Sequence, residues 1–245
     1  MTAVVARIYR HPIKSIGAED LGATTLSPGQ SLPLDREWAV LNDRAKVARL
    51  ADGRASAWGA KANFLTGRAG PALMAVTAST QANGRLVLDH PDLRPLDIDP
   101  DAPADQAKLI AWLRPIWPVD APAPTALVRA PGQPLTDQPV AFVSLIGSAS
   151  LDDLAARAGA PLSPRRFRAN LWVEGWAPFV EFDLIGRRLR RGGTTLEVVG
   201  RVGRCRATDA NPETGARDID VLRLLEAEYG HTDLGVFCTV VEGGP

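Results

Sequence analysis

The segment TTLEVVGRVGRCRATDANPETG, residues 194–215, contains the strongest signals of the chain for both fold and function. Its first part, residues 194–202, is rich in β-branched residues and predicts a strand. Its last part, NPETG at residues 211–215, is typical of a turn. A strand followed by a turn predicts that the loop between them, which carries Cys205, lies at the edge of a sheet.

Short segments rich in β-branched and aromatic residues, separated by turn residues, predict further strands along the chain. The 22 glycines and 20 prolines interrupt the chain often, which favours many short strands over long helices. Asn83-Gly84 is typical of a tight turn between two strands. The other predicted strands are residues 4–9, 21–26, 37–41, 73–77 and 85–88 in the first hundred residues, and residues 141–146, 169–173 and 236–241 after them.

Three segments predict helices. Residues 105–113 form a short helix pattern that Pro115 ends. The segment SLDD, residues 150–153, has the form of a capping box, and apolar residues follow it at helical spacing until Gly159. Residues 218–229 carry one apolar stripe, which Gly230 ends.

The pattern changes near residue 100. Residues 1–100 predict mostly short strands, typical of a barrel or sandwich. Residues 91–139 are rich in Pro, Asp and Ala and mark the junction. We therefore predict a mainly β fold with helices (α+β): an N-terminal β-barrel-like domain at 1–100, and a second domain at 101–245 that mixes strands and helices.

Composition excludes several classes of protein. The chain has 45% hydrophobic and 23% charged residues, as expected for a globular protein and not for a disordered one. Two cysteines in 245 residues exclude a disulfide scaffold. No segment approaches the roughly 20 apolar residues of a membrane helix, and the N-terminus lacks the pattern of a signal peptide. We therefore predict a cytoplasmic protein with reduced thiols.

Arginine is the dominant cation, with 24 arginines and 4 lysines. Residues 165–206 contain ten arginines and four acidic residues, although the chain has a formal net charge of zero. The guanidinium fork matches phosphate and carboxylate, so this segment predicts an anion-binding site. A solvated basic face is the alternative. Few lysines and no aromatic stacking motif weigh against a nucleic-acid surface.

Cys205 lies between Arg204 and Arg206. Neighbouring positive charge favours the thiolate, which attacks electrophiles and binds soft metals. The alternative is a small buried apolar residue, which is the role we predict for Cys238 in the apolar run VFCTV. The two cysteines and three histidines lack the spacing of zinc ligands, and the motifs of nucleotide binding and serine hydrolysis are absent from the sequence.

Four motifs in order resemble the MOSC family, named for the molybdenum cofactor sulfurase C-terminal domain. HPIKS at residues 11–15 and LDREW at residues 34–38 resemble the N-terminal barrel domain of this family. RFRAN at residues 166–170 and CRATDANPETG at residues 205–215 resemble the MOSC domain itself. The resemblance covers nearly the whole chain, and within the family the chain is similar to the amidoxime-reducing MOSC enzymes, which reduce N-hydroxylated substrates. It implies that the second domain, 101–245, is a MOSC β-barrel with flanking helices.

The resemblance implies a molybdenum–molybdopterin cofactor, with Cys205 as the metal ligand and catalytic residue. An anionic, phosphorylated pterin needs cationic forks and neutral hydrogen-bond partners. Alternatives remain open, because Lys14 could be exposed at a strand end, Arg36 could pair with an adjacent carboxylate, and Asn170 could satisfy local backbone groups. By the same motifs, the cofactor-binding residues are Lys14, Ser15, Arg36, Arg168, Asn170 and Arg204.

The resemblance also implies a function, namely a molybdenum-dependent oxidoreductase that reduces N-hydroxylated or N-oxide small molecules. Two cysteines cannot hold an iron–sulfur cluster, so we expect electrons from a separate donor protein of the ferredoxin, flavoprotein or cytochrome type. The alternative is a sulfur-transfer or cofactor-carrier protein that uses a Cys205 persulfide or thiolate. Nucleic-acid binding is a more remote alternative, and we expect neither a nucleic-acid nor a membrane partner.

Overall fold

The computed structural model describes residues 3–245 and contains strands, α-helices and short 3-10 helices. The strands are β1 Val4–Arg10, β2 Glu19–Leu21, β3 Trp38–Asn42, β4 Thr77–Thr80, β5 Leu86–His90, β6 Leu93–Ile98, β7 Pro124–Arg129, β8 Val143–Gly147, β9 Leu171–Glu174, β10 Arg188–Arg191, β11 Thr194–Gly203 and β12 Asp233–Glu242. The α-helices are α1 Pro103–Leu113, α2 Ser148–Ala158, α3 Val180–Asp183 and α4 Val221–Tyr229. The 3-10 helices are Lys61–Asn63, Pro71–Ala75, Arg114–Ile116, Pro164–Phe167 and Arg206–Asp209.

The strands form three sheets. The largest has seven strands in the order β10-β11-β12-β8-β9-β1-β2, and its pairs are antiparallel except for β8 and β9. β3 pairs with β7, and β4, β5 and β6 form a third sheet. The predicted mixture of strands and helices is confirmed. The large sheet does not close into a barrel, because within the described residues its two outermost strands, β10 and β2, do not pair with each other.

The large sheet combines the two ends of the chain. β1 pairs antiparallel with β9, with Ile8 opposite Leu171. The first strand therefore lies among strands of the second half, and it brings the loop after β1 next to the residues before β9. The domain boundary near residue 100 stays a prediction. No helix in residues 3–245 combines the length and apolar character that crossing a bilayer requires.

Separate apolar clusters stabilise the two halves. In the first half, Leu109 and Leu113 of α1 are fully buried against Leu127 of β7. In the second half, alternate residues of the large sheet form the core, including Val198 and Cys238. Each fully buried side chain of this size contributes roughly 1.5–3 kcal/mol through the hydrophobic effect. Cys238 is buried as predicted, and burial raises the pKa of its thiol to about 12.

The predicted strand at residues 73–77 is wrong. Residues Pro71–Ala75 form a 3-10 helix, and β4 begins only at Thr77. Proline at the first position fixes a backbone angle that suits a helical turn, which explains the error. The turn at Asn83-Gly84 does join two paired strands, and Gly84 has a φ of 83°.

The predicted capping box at residues 150–153 is also wrong. α2 begins two residues earlier, directly after β8, and Ser150 lies inside it. The Ser150 hydroxyl instead donates to the Glu181 carboxylate at 2.8 Å, which also accepts from the Gly147 N–H at 3.2 Å. A carboxylate from a later element therefore satisfies the start of this helix. The predicted end is confirmed, since Gly159 adopts the left-handed conformation with φ 65°.

Candidate functional site

A cavity of about 500 Å³ is lined by residues from both halves of the chain. Its wall contains the loop after β1, the loop before β3, the segment before β9 and the loop after β11. Residues far apart in sequence therefore meet at one site. Six of the seven predicted site residues line it, namely Lys14, Ser15, Arg36, Arg168, Arg204 and Cys205.

Three of these residues have an unusual backbone conformation. Ser15, Arg36 and Arg168 have φ values of 62°, 51° and 50°, in the left-handed region that non-glycine residues rarely adopt. Each such residue costs on the order of 1–3 kcal/mol, and such residues concentrate at functional sites. The Arg36 N–H donates to the His11 carbonyl at 2.7 Å, which helps to hold this conformation. The surrounding fold thus maintains three strained residues around one cavity.

Arg36 is anchored from behind by a buried acid. Its guanidinium donates to the Asp35 carboxylate and, through Nη2, to the Arg168 carbonyl at 2.8 Å. The Asp35 carboxylate also accepts from the His11 N–H at 2.8 Å. Burial acts to raise the pKa of Asp35, but the Arg36 guanidinium and His11 hold it well below its usual value. Arg36 therefore forms the ion pair with an adjacent carboxylate that the sequence left open as an alternative, and it also lines the cavity.

Arg168 has no carboxylate partner among residues 3–245. Its guanidinium donates instead to the carbonyls of Gly17 at 3.0 Å and Ile13 at 3.2 Å. Burial and the positive charge of Arg36 lower the pKa of Arg168 to about 9. The group remains charged at neutral pH. The Asp35 charge opposes the lowering of the pKa, but no ion pair compensates the Arg168 charge within the described residues.

Arg204 repeats this arrangement on the other side of the cavity. It donates to the Phe167 carbonyl at 2.8 Å and, through Nε, to the Leu234 carbonyl at 2.8 Å. Burial lowers the pKa of Arg204 to about 9, and no ion pair to it occurs in the described part of the chain. Gly235, which follows Leu234, allows β12 to approach β8 closely, because a Cβ there would lie 2.5 Å from the Leu145 carbonyl oxygen.

Lys14 is buried and not exposed at a strand end, so that alternative is wrong. Its Nζ lies 2.5 Å from Oδ1 of Asp137, and its exposed fraction is 5%. Burial lowers the pKa of Lys14, although Asp137 opposes this change. Asp137 supplies the carboxylate of the cavity wall and was not predicted. The two residues are 123 positions apart, and no sequence pattern links them.

Cys205 lies two residues after the end of β11, in the loop that follows this strand. It is a free cysteine and partly exposed, and its carbonyl accepts from the Thr208 N–H at 3.0 Å. Of the two flanking arginines, only Arg204 reaches the cavity wall. Arg206 is exposed and donates to Asp209 at 3.2 Å.

Asn170 does not line the cavity. Its side chain is fully buried, and its Nδ2 donates to the Tyr9 carbonyl at 3.1 Å. Its Oδ1 accepts from the N–H and the hydroxyl of Ser144, at 3.1 and 2.9 Å. These bonds join β1, β8 and the residue before β9, so the structure matches the alternative in which Asn170 satisfies local backbone groups. A direct cofactor contact stays a prediction.

Several wall residues were not predicted from the sequence. Phe142 and Phe237 pack edge to face with ring centroids 4.4 Å apart and form an aromatic part of the wall. Both belong to apolar segments whose pattern indicates only a strand. Other wall residues are Lys61, Met74, Thr136, Asp137, Ser144 and Thr208, which were not predicted, and Arg166 and Arg201, which the sequence indicated only as members of the arginine-rich segment 165–206.

The arginines of residues 165–206 do not form one exposed face. Arg168 and Arg204 line the cavity, and Arg166 is buried against Asp218 at 2.7 Å. Arg188 is exposed on β10, where it pairs with Glu197. The positive excess is thus divided between a cavity wall and an outer strand.

Comparison with known proteins gives the relationship of this chain. A model of the MOSC N-terminal beta barrel domain matches residues 2–114, and a model of the MOSC domain matches residues 133–245. The chain belongs to the MOSC family. This confirms the resemblance carried by the four motifs, and the two MOSC matches leave residues 115–132 between them.

Two individual proteins are also similar to this MOSC chain. A molybdenum cofactor sulfurase from Danio rerio is 35% identical over 74 residues, which are 30% of this chain and 9% of the relative. The chain therefore spans less than a tenth of that relative. The crystal structure of the YUAD protein from Bacillus subtilis matches with a TM-score of 0.44 and 14% identity, over 100% of this chain and 90% of that one.

The residues of the MOSC cavity fit a phosphorylated pterin that carries a soft metal. Arg168 and Arg204 offer uncompensated positive charge, which a phosphate would balance. Cys205 offers a sulfur ligand in the same cavity. No group of three or more His, Cys, Asp or Glu side chains suited to a metal occurs in residues 3–245.

Proposed function

We propose that this MOSC protein is a molybdenum-cofactor-dependent oxidoreductase that reduces N-hydroxylated or N-oxide small molecules with electrons from a separate donor protein. The observation that carries the proposal is the meeting of Arg168, Arg204 and the free Cys205 at one cavity of about 500 Å³. The family and the partial similarity to a molybdenum cofactor sulfurase support a role related to the molybdenum cofactor.

In this proposal the arginines of the cavity and Cys205 bind different parts of the cofactor. Arg36, Arg168 and Arg204 hold the phosphate and the polar edge of the pterin, because all three are cationic and line the cavity. The Cys205 sulfur binds the metal, and the bound group supplies the two-electron redox chemistry. The substrate gains two electrons and two protons, its N–O bond breaks, and the oxygen leaves as water.

The aromatic part of the wall suits the organic portion of a substrate. Phe142 and Phe237 form an apolar surface next to the cationic surface, together with Met74. A substrate with a planar apolar group and a polar N–O group matches both surfaces. An aromatic amidoxime has this combination and is the appropriate test compound.

The test is expression in a host that makes the cofactor, followed by metal analysis and an assay with an aromatic amidoxime and reduced viologen. We expect about one molybdenum per chain and formation of the amidine. Cys205→Ser should lose turnover, whereas the matched Cys238→Ala variant should retain both metal and turnover, because Cys238 lies in the core. Absence of molybdenum above background, with Cys205→Ser and wild type indistinguishable, contradicts the proposal.

The similarity to a molybdenum cofactor sulfurase favours one further candidate, a sulfur-transfer or cofactor-carrier protein. In that case Cys205 carries a persulfide or passes the cofactor on. Bound cofactor without turnover, or a persulfide on Cys205 detected by mass spectrometry, supports this candidate over the reductase.

A further inference from the structure

A second cavity, of about 310 Å³, lies against the large sheet and shares no lining residue with the cavity around Cys205. Strands from both ends of the sheet line it, β1 and β9 on one side and β10 and β11 on the other. Its wall is mainly aliphatic. The principal apolar residues are Val5, Ile8, Leu171, Val173, Leu189 and Leu196.

The pairing of β10 with β11 places polar groups at one end of this apolar wall. Leu189 lies opposite Leu196, and Arg191 lies opposite Thr194. Residues two positions apart share one face of a strand, so Arg191 and Thr194 continue the face formed by the two leucines. The cavity is therefore apolar along its length and polar where β10 ends.

The Thr194 hydroxyl has an unused hydrogen-bonding capacity. The residue is 8% exposed, and its Oγ1 finds no hydrogen-bond partner within residues 3–245. Buried hydroxyl groups almost always have a partner, so an orphan of this kind points to an acceptor that enters from outside the chain. Thr194 lines the cavity, and a turn about its χ1 angle would bring the hydroxyl, which is covered in the observed rotamer, to an oxygen atom of a ligand there.

One guanidinium group stands at the same end. Arg191 is exposed, lines the cavity and pairs with no carboxylate in the described chain, whereas the side chain of Arg190, one position earlier on the strand, belongs to the opposite face. Arg188, on the same strand, pairs with Glu197 at 3.3 Å and does not line the cavity. A planar guanidinium matches the two oxygens of a carboxylate.

We propose that this cavity binds a straight-chain carboxylic acid of medium length. The hydrocarbon chain lies between Val173 and Leu189, and the carboxylate accepts from Arg191 and Thr194. The volume is at the lower end of the range for ligand cavities, so one chain fits better than a two-chain lipid. This site goes beyond the proposed reductase function and is independent of the cofactor.

Calorimetric titration of the full chain with decanoate tests this site, with decanol as the uncharged ligand of equal chain length. We expect saturable one-to-one binding of decanoate and weaker binding of decanol. Arg191→Gln should weaken decanoate binding about tenfold or more, as expected for a hydrogen bond to a charged group. Arg188→Gln is the matched control and should bind as the wild type does.

Two further variants distinguish the cavity from the surface. Thr194→Val removes the orphan hydroxyl at similar volume and should weaken decanoate binding without affecting decanol. Leu189→Trp fills the cavity from the edge strand β10 and should abolish binding of both ligands. The proposal is overturned by the absence of saturable decanoate binding, or by binding that stays the same in Arg191→Gln and Leu189→Trp.

Discussion

At the scale of the residue, the cavity wall combines side-chain charge with backbone strain. Ser15, Arg36 and Arg168 hold left-handed backbone angles that glycine would adopt without cost. In each case the chain keeps a polar or charged side chain where a glycine would relieve the backbone strain. This choice is understandable if the side chain has a function at the cavity.

Two variants of Arg168 measure how much the strained backbone lowers the unfolding free energy. Arg168→Ala and Arg168→Gly both remove the guanidinium and its bonds to the Gly17 and Ile13 carbonyls. Only the glycine variant also relieves the backbone at φ 50°. We expect Arg168→Gly to be about 1 kcal/mol more stable to urea than Arg168→Ala, and both to lose the cofactor. Equal unfolding free energies would show that position 168 carries no strain.

At the scale of the element, the sequence predicted those strands and helices whose own residues determine them. β3, β11, β12 and α4 follow from apolar patterns, and their ends lie within three residues of the predicted ones. The strands at Leu93–Ile98, Pro124–Arg129 and Arg188–Arg191 were missed, because they contain proline or exposed arginines and depend on their neighbours for pairing.

The candidate site was predictable to the extent that motifs carry it. Lys14, Arg36, Arg168 and Cys205 were selected from motifs, and the fold brings them to one cavity. Asp137 has no such motif, and only the tertiary structure shows that it pairs with Lys14. Local sequence therefore identifies the side chains of the site but not their long-range partners.

Asn170 connects three strands. Its replacement by alanine distinguishes a structural role of this side chain from direct contact with the cofactor. Asn170→Ala leaves the Tyr9 carbonyl and the Ser144 N–H without their side-chain partner. We expect a loss of about 2–4 kcal/mol in the unfolding free energy of the cofactor-free protein, since buried polar groups lose their hydrogen bonds. An unchanged unfolding free energy, with loss of cofactor alone, would instead indicate a direct contact.

Glu181 links α3 to the start of α2 and makes the stability of this junction depend on pH. Burial raises the pKa of Glu181, although hydrogen bonds from its own N–H, Ser150 and Gly147 oppose the change. The folded state therefore binds a proton more readily than the unfolded state, whose pKa is near 4.5. The carboxyl group favours the folded state below that value, and this contribution is lost as the pH rises through the raised pKa.

Glu181→Gln removes this titration and keeps an amide oxygen that can accept the same hydrogen bonds. We expect the wild type to gain stability relative to Glu181→Gln when the pH falls from 7 to 5, measured by urea unfolding at both values. A difference between the two proteins that does not change with pH would contradict the raised pKa.

At the scale of the whole molecule, the cavity brings together positively charged side chains from distant parts of the chain. Arg36, Arg168 and Arg204 approach one another there, and the last two lack a carboxylate partner within residues 3–245. Their mutual repulsion disfavours the folded state of the cofactor-free protein. An anion that binds only the folded state relieves this repulsion and stabilises the whole chain by mass action.

Inorganic phosphate is a probe of this anion site that does not depend on activity. At ten times its Kd, phosphate should stabilise the cofactor-free protein by about 1.4 kcal/mol, which corresponds to a rise in Tm of about 3–6 °C. Arg168→Gln should lose most of this rise, because it removes one uncompensated charge from the cavity. Arg188→Gln, which alters an exposed pair on β10, should keep it. Because phosphate also stabilises proteins by exclusion from their surface, an equal rise in wild type and Arg168→Gln would mean that the cavity does not bind the anion.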